Sequence, residues 1–199
     1  NKVGGIYTVV ATKSLYLKSE YNRHHIMVGP DVWMDTDSNP DFIEDLSLYR
    51  SWKEQAAAEG LRVRIGRWNV PGKPTAILVD FKQFLTRQNE ILTEFWKRFG
   101  VDSLTGNWDY RESALFGYAA GRVIESFYRF NLEASDKVVA QFHEWMTGTG
   151  LLYLKSVNIP IATVFTTHAT VIGRCIAGNN LPLYDGLLSY NADEKARHF

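Results

Sequence analysis

A chain of 199 residues is long enough for one substantial core and lies near the upper end of ordinary single-domain size. Its 45% hydrophobic and 22% charged content excludes a disordered or fibrous chain. The 22 Lys and Arg against 22 Asp and Glu leave no net field for gathering a polyanion, so nucleic acid is not an expected partner and a neutral polymer suits the chain better.

The single cysteine, Cys175, cannot close an internal disulfide, and no Cys and His clusters have the spacing of a structural zinc site, so no metal is expected. The longest apolar runs are strand-sized, well short of the roughly 20 residues of a membrane span. These features read as a cytoplasmic chain without a membrane partner. It opens on Asn1 without a methionine and closes in the polar stretch from Tyr190 to Phe199, which reads as a piece of a longer protein.

In chain order, Lys2-Val3-Gly4-Gly5 precedes an apolar run with helical spacing. Short β-rich runs follow at His25 to Val28, Arg62 to Ile65, Thr75 to Val79, Val138 to Phe142 and Ile161 to Phe165. Several are apolar throughout, as strands covered on both faces are. Asn39-Pro40 reads as a helix N-cap with proline at the first helical position, opening a helix along Phe42, Ile43, Leu46, Tyr49, Trp52 and Ala56 that Gly60 stops. Further helices are expected over Phe84 to Phe99, Glu112 to Phe130, Trp145 to Lys155 and Thr170 to Ala177, with Gly117 and Gly121 permitting close cover of a sheet face. The strand–turn–helix rhythm predicts an α/β fold with a doubly wound, mainly parallel sheet, in which ligands bind at the carboxyl ends of strands. The six tryptophans are read mostly as core, with exposed ones available to stack on sugar rings.

Two strand ends stand out. Val138 to Phe142 runs directly into His143 and Glu144, and Ile161 to Phe165 runs into Thr166-Thr167-His168, with Arg174 about one helical turn or slightly more further on. In a binding reading the imidazoles face the cleft and Arg174 reaches a phosphate or sugar. In a structural reading His143 satisfies a backbone carbonyl, Glu144 and the threonines cap the following helices, and Arg174 is solvated. The paired glycines likewise read either as a plain turn or as a helix opening whose N–H groups meet an anion, with Lys2 adding a point charge. His143-Glu144-Trp145-Met146-Thr147 begins like a zinc-protease motif, but Thr147 stands where the second histidine is required, which rejects that chemistry. Cys175 sits in a helical run between Ile172 and Ile176, where an inert buried thiol is expected.

Asn1-Lys2-Val3-Gly4-Gly5-Ile6-Tyr7-Thr8-Val9, Val28-Gly29-Pro30, Gly66-Arg67-Trp68, Leu115-Phe116-Gly117, His143-Glu144-Trp145 and Phe165-Thr166-Thr167-His168-Ala169-Thr170 together resemble the amino-terminal domain of glycogen synthases of the animal and fungal type, in the family's order. The resemblance implies residues 1–199 of an incomplete Rossmann-like domain, the first of two in a GT-B glycosyltransferase, with the carboxy-terminal donor-binding domain outside this chain. It implies retaining transfer of glucose from UDP-glucose to the non-reducing end of glycogen, without a cofactor. It further implies that Lys2, Gly4 and Gly5 lie at the donor phosphates, that His168 and Arg174 bind UDP-glucose, and that His143, the catalytic candidate, faces the transferred glucose. A homo-oligomer is compatible with it. The rival readings are another nucleotide-sugar GT-B enzyme, of the starch or sucrose synthase kind, and a non-catalytic glycan-binding protein.

Overall fold

The computed structural model describes residues 4–21, 24–32 and 39–198. Its elements run α1 (Gly4–Tyr21), β1 (Ile26–Pro30), β2 (Phe42–Glu44), α2 (Arg50–Ala58), β3 (Arg62–Trp68), β4 (Thr75–Asp80), α3 (Gln88–Phe99), α4 (Trp108–Asn131), β5 (Val139–His143), α5 (Trp145–Ser156), β6 (Ala162–Thr166), α6 (Val171–Gly178) and α7 (Ala192–His198). Single 3-10 segments at Lys82–Arg87 and Leu187–Ser189 complete the order. The five expected strands are all present. Among the described residues no helix is long and apolar enough to cross a membrane.

The strands form two sheets rather than one mainly parallel sheet. The larger has the order β1-β4-β3-β2: β1 is parallel to β4, whereas β3 is antiparallel to both β4 and β2. The cause is the link from β3 to β4, a short turn through Pro71 and Gly72, which has room for a hairpin but not for the crossover helix that parallel strands need. Gly72 holds φ at 90°, and a Cβ there would lie 3.0 Å from the carbonyl oxygen of Ser14, so this turn also seats α1. The smaller sheet is the parallel pair β5 and β6, joined by α5 as a βαβ unit.

The helix expected from Pro40 onward is corrected. Asn39 closes a turn by accepting from the Asp41 N–H at 2.9 Å, residues 42–44 are strand β2, and the helix begins only at Arg50. Phe42 and Ile43 pair with Trp68 and Arg67 of β3, and Glu44 faces Gly66, where a Cβ would stand 2.1 Å from the carbonyl oxygen of Ile43. A partner more than twenty residues away therefore overrides the local helical spacing. Only Trp52 and Ala56 of the expected helical stripe are buried within α2, while Ile43 and Leu46 are exposed.

The main core lies where α2, α3 and α4 cover the larger sheet: Trp52, Leu61, Ile65, Ile77, Val79, Leu92 and Leu115 are almost wholly buried. Trp52 meets Phe127 edge-on, and its indole N–H donates to the Ser126 hydroxyl at 3.1 Å. Of the tryptophans expected in the core, Trp52 is buried, but Trp96, Trp108 and Trp145 are exposed; Trp33 lies outside the described residues. The glycines of α4 serve a neighbouring helix rather than a sheet face. A Cβ at Gly117 would fall 2.2 Å from the Thr149 hydroxyl, and one at Gly150 would fall 2.5 Å from the Gly117 carbonyl oxygen. That close approach of α4 and α5, fixed by the Thr149 hydroxyl donating to the Ala114 carbonyl at 2.6 Å, anchors the βαβ unit on the core.

Candidate functional site

β5 and β6 run side by side in register, Val139 opposite Ala162 and His143 opposite Thr166, so both carboxyl ends open at the same edge. The Glu144 N–H donates to the Thr166 carbonyl at 2.9 Å and carries the pairing one step past the strand. Just beyond, His143 Nδ1 and His168 Nε2 lie 3.0 Å apart, with the rings 5.3 Å between centroids and 22° from parallel. The strand ends thus bring together the two histidines that the sequence singled out.

This contact needs one ring nitrogen as donor and the other as acceptor. When both rings are neutral, the outward nitrogens, Nε2 of His143 and Nδ1 of His168, therefore offer a ligand one donor and one acceptor. Burial, then the neighbouring His168 and the Lys13 ammonium, push the His143 imidazole below its ordinary range, against a weaker opposing pull from Glu144. His143 is half-buried and His168 exposed, so the pair has a fixed side and an open side.

Glu144 occupies the N-cap position of α5, yet its side chain makes no cap bond, which corrects the capping reading. The carboxylate turns across to the turn after β6, where Oε1 accepts from the backbone N–H of His168 and, at 3.0 Å, from that of Ala169. Oε2 lies 3.5 Å from the Thr167 hydroxyl. Burial alone would raise the Glu144 carboxyl; the two backbone N–H groups, the His168 imidazole and the Thr167 hydroxyl outweigh it and hold it below the usual carboxylate range. Its backbone lies at φ 65° and ψ 167°, a region used almost only by glycine, at a cost of about 1–3 kcal/mol.

Thr147 donates to the His143 carbonyl at 2.9 Å, tying the first turn of α5 to the strand end. From the other side, Lys13 of α1 donates to Gln141 Oε1 at 3.2 Å, and Gln141 donates to the Thr166 hydroxyl at 2.7 Å. This link joins α1 to both strands and places an ammonium near His143. Thr170 caps α6 by accepting from the Gly173 N–H at 3.0 Å, and Arg174 stands exposed on the first turns of that helix. Cys175 of α6 is partly rather than fully buried. Gly4 and Gly5 open α1, but the contact of that helix with β5 is made by Lys13, while Tyr7 meets Trp68 at the end of β3. Lys2 lies outside the described residues.

Sequence reasoning missed Lys13, Gln141 and the reach of Glu144. Gln141 carried a signal, as a polar residue alternating with buried Ala140 and Phe142 in β5; the partner of Glu144 lies 24 residues away and gave none.

The glycogen synthase family model matches residues 1–198. The chain belongs to the glycogen synthase family. Its relatives include the liver glycogen synthase of Rattus norvegicus, 30% identical over 98% of this chain, and the glycogen synthases of Dictyostelium discoideum at 32% and Caenorhabditis elegans at 31% over the same share. The chain spans 28%, 22% and 29% of the length of those three proteins. The match reaches from the Gly4-Gly5 opening of α1 through both strand ends to α7.

Proposed function

We propose that this chain is the amino-terminal, Rossmann-like part of a cytoplasmic GT-B glycogen synthase, and that the ends of β5 and β6 form one wall of the cleft where glucose leaves UDP-glucose for glycogen. The contact between His143 and His168 carries the reading. Two imidazoles, one at the end of β5 and one in the turn after β6, meet at a shared open edge, where α/β folds take their ligands, in a chain whose family transfers glucose.

In this reading His143 faces the transferred glucose and His168 holds the donor, the pair offering one donor and one acceptor to sugar hydroxyls. Arg174, with Lys2 and the N–H groups of Gly4 and Gly5, meets the phosphates. The bond between glucose C1 and the β-phosphate oxygen of UDP breaks, and its electron pair leaves with UDP. A glycogen hydroxyl forms the new bond to C1 with retained configuration, and its proton passes to the departing phosphate. Cations aimed at that phosphate act most strongly as its charge grows, so Arg174 lowers the barrier more than it tightens the ground state.

Calorimetric titration of the full-length protein tests this. UDP-glucose is expected to bind the parent, ADP-glucose to bind more weakly, and His168→Ala to lose affinity for UDP-glucose. A folded parent that binds neither sugar nucleotide removes the donor reading, and a preference for ADP-glucose moves the protein to the starch synthase kind.

A further inference from the structure

Glu144 combines three features that seldom coincide. It is 7% exposed, it holds a backbone conformation that side chains rarely adopt, and its carboxylate serves the turn after another strand rather than its own helix. An acid that only ended β5 or began α5 would gain nothing from this geometry; a glycine would make the bend without strain and an Asn or Ser would cap the helix. What the arrangement does accomplish is local to the His168 turn. Two consecutive backbone N–H groups, those of His168 and Ala169, converge on Oε1, and the Thr167 hydroxyl lies between Oε2 and the Ala169 carbonyl, 3.1 Å from the latter. The next residue, Thr170, already caps α6, so the turn is held at both ends.

We propose that Glu144 is a positioning residue that fixes the His168 ring against His143 by clamping the Thr167–Ala169 turn across the two strand ends. The inference rests on the donor-site reading for its consequence in binding, but the clamp itself is a property of this chain. His168 is exposed and, among the described residues, its ring hydrogen-bonds only to His143, so its backbone must be held from elsewhere if the ring contact is to persist in water. Glu144 supplies that hold from the residue immediately after His143, so both rings are referenced to one short stretch of backbone. The His pair then meets a sugar already oriented, which is where accurate placement returns most in rate.

The test uses Glu144→Gly, which relieves the positive-φ strain while removing the carboxylate, and Glu144→Gln, which keeps an oxygen to accept both N–H groups. Two readouts are taken on the full-length protein: long-range proton–nitrogen spectra of the His143 and His168 rings, and UDP-glucose affinity with kcat and KM. In Glu144→Gly the spectral signature of the ring-to-ring hydrogen bond should vanish and donor affinity and kcat/KM should fall about tenfold or more, without a matching loss of thermal stability. Glu144→Gln should restore the signature and recover most of that loss. An intact signature in Glu144→Gly overturns the proposal, as does its loss to the same degree in both variants, or unchanged donor affinity once the signature is gone. A parent that does not bind UDP-glucose sinks the donor reading instead, and the spectra still decide the clamp.

Discussion

The larger sheet and the β5–β6 pair are built for different ends. In β4 all but one residue are buried and the strand is hydrogen-bonded on both sides, under helices whose contacts centre on Trp52 and Leu115. In β6 no residue is fully buried, and β5 alternates buried Ala140 and Phe142 with exposed Val139 and Gln141. The first region gains its stability from apolar area removed from water, and the second spends some of it on a half-buried imidazole and a Glu in a glycine-like conformation. On the proposed donor-site reading, stability and chemistry are therefore separable in this chain. The rigid contact of α4 with α5 through Gly117 and Gly150 keeps the second region registered on the first.

Substitutions that touch one region should leave the other's readout alone. Trp52→Ala should lower unfolding free energy by about 3–5 kcal/mol in urea denaturation, through the cavity it opens among α2, α4 and the larger sheet. Arg174→Ala, on an exposed helix face, should instead lower kcat/KM on the order of a hundredfold while changing stability by less than about 0.5 kcal/mol. An Arg174→Ala enzyme with unchanged kcat/KM removes that residue from the site. Ser126→Ala, which strands the indole N–H of Trp52, should cost about 1–2 kcal/mol of stability and nothing in donor affinity.

The smallest expected effect is one of pH and comes from the second region. Burial lowers the folded-state pKa of His143 below its ordinary 6.5. Below that pH the unfolded chain binds a proton that the folded chain does not, so this contribution to stability is present above 6.5 and is lost as the pH falls toward the folded value. Urea midpoints measured from pH 7.5 downward should fall less steeply for His143→Gln than for the parent. Equal slopes would mean that His143 titrates alike in both states.

How much of this was legible in the sequence follows from how local each signal is. The five strands and the α4 helix were readable because their apolar and β-branched residues fall in short local runs or at helical steps, most plainly in β4, where burial is nearly continuous, and Gly117 and Gly121 announced a close approach, though to α5 rather than to a sheet. Strand β2 was not, because Phe42 to Glu44 share the spacing of a helix and become a strand only by pairing with β3 at Gly66. The antiparallel placement of β3 was written in the shortness of the turn at Pro71-Gly72, a signal that the prevailing strand–helix rhythm masked. At the site, both histidines were legible as polar ends of apolar strands. Their mutual contact and the clamp from Glu144 were not, since each joins residues about 25 positions apart through a parallel register that only the fold establishes.

In the proposed site His143 and His168 act on the donor as one unit, and a double-mutant cycle on UDP-glucose affinity decides whether they do. His143→Ala, His168→Ala and the double variant of the full-length protein should each bind more weakly, with the double loss differing from the sum of the single losses by more than about 0.5 kcal/mol. Losses that simply add, or single variants that bind as the parent does, would leave the ring contact without a part in donor binding.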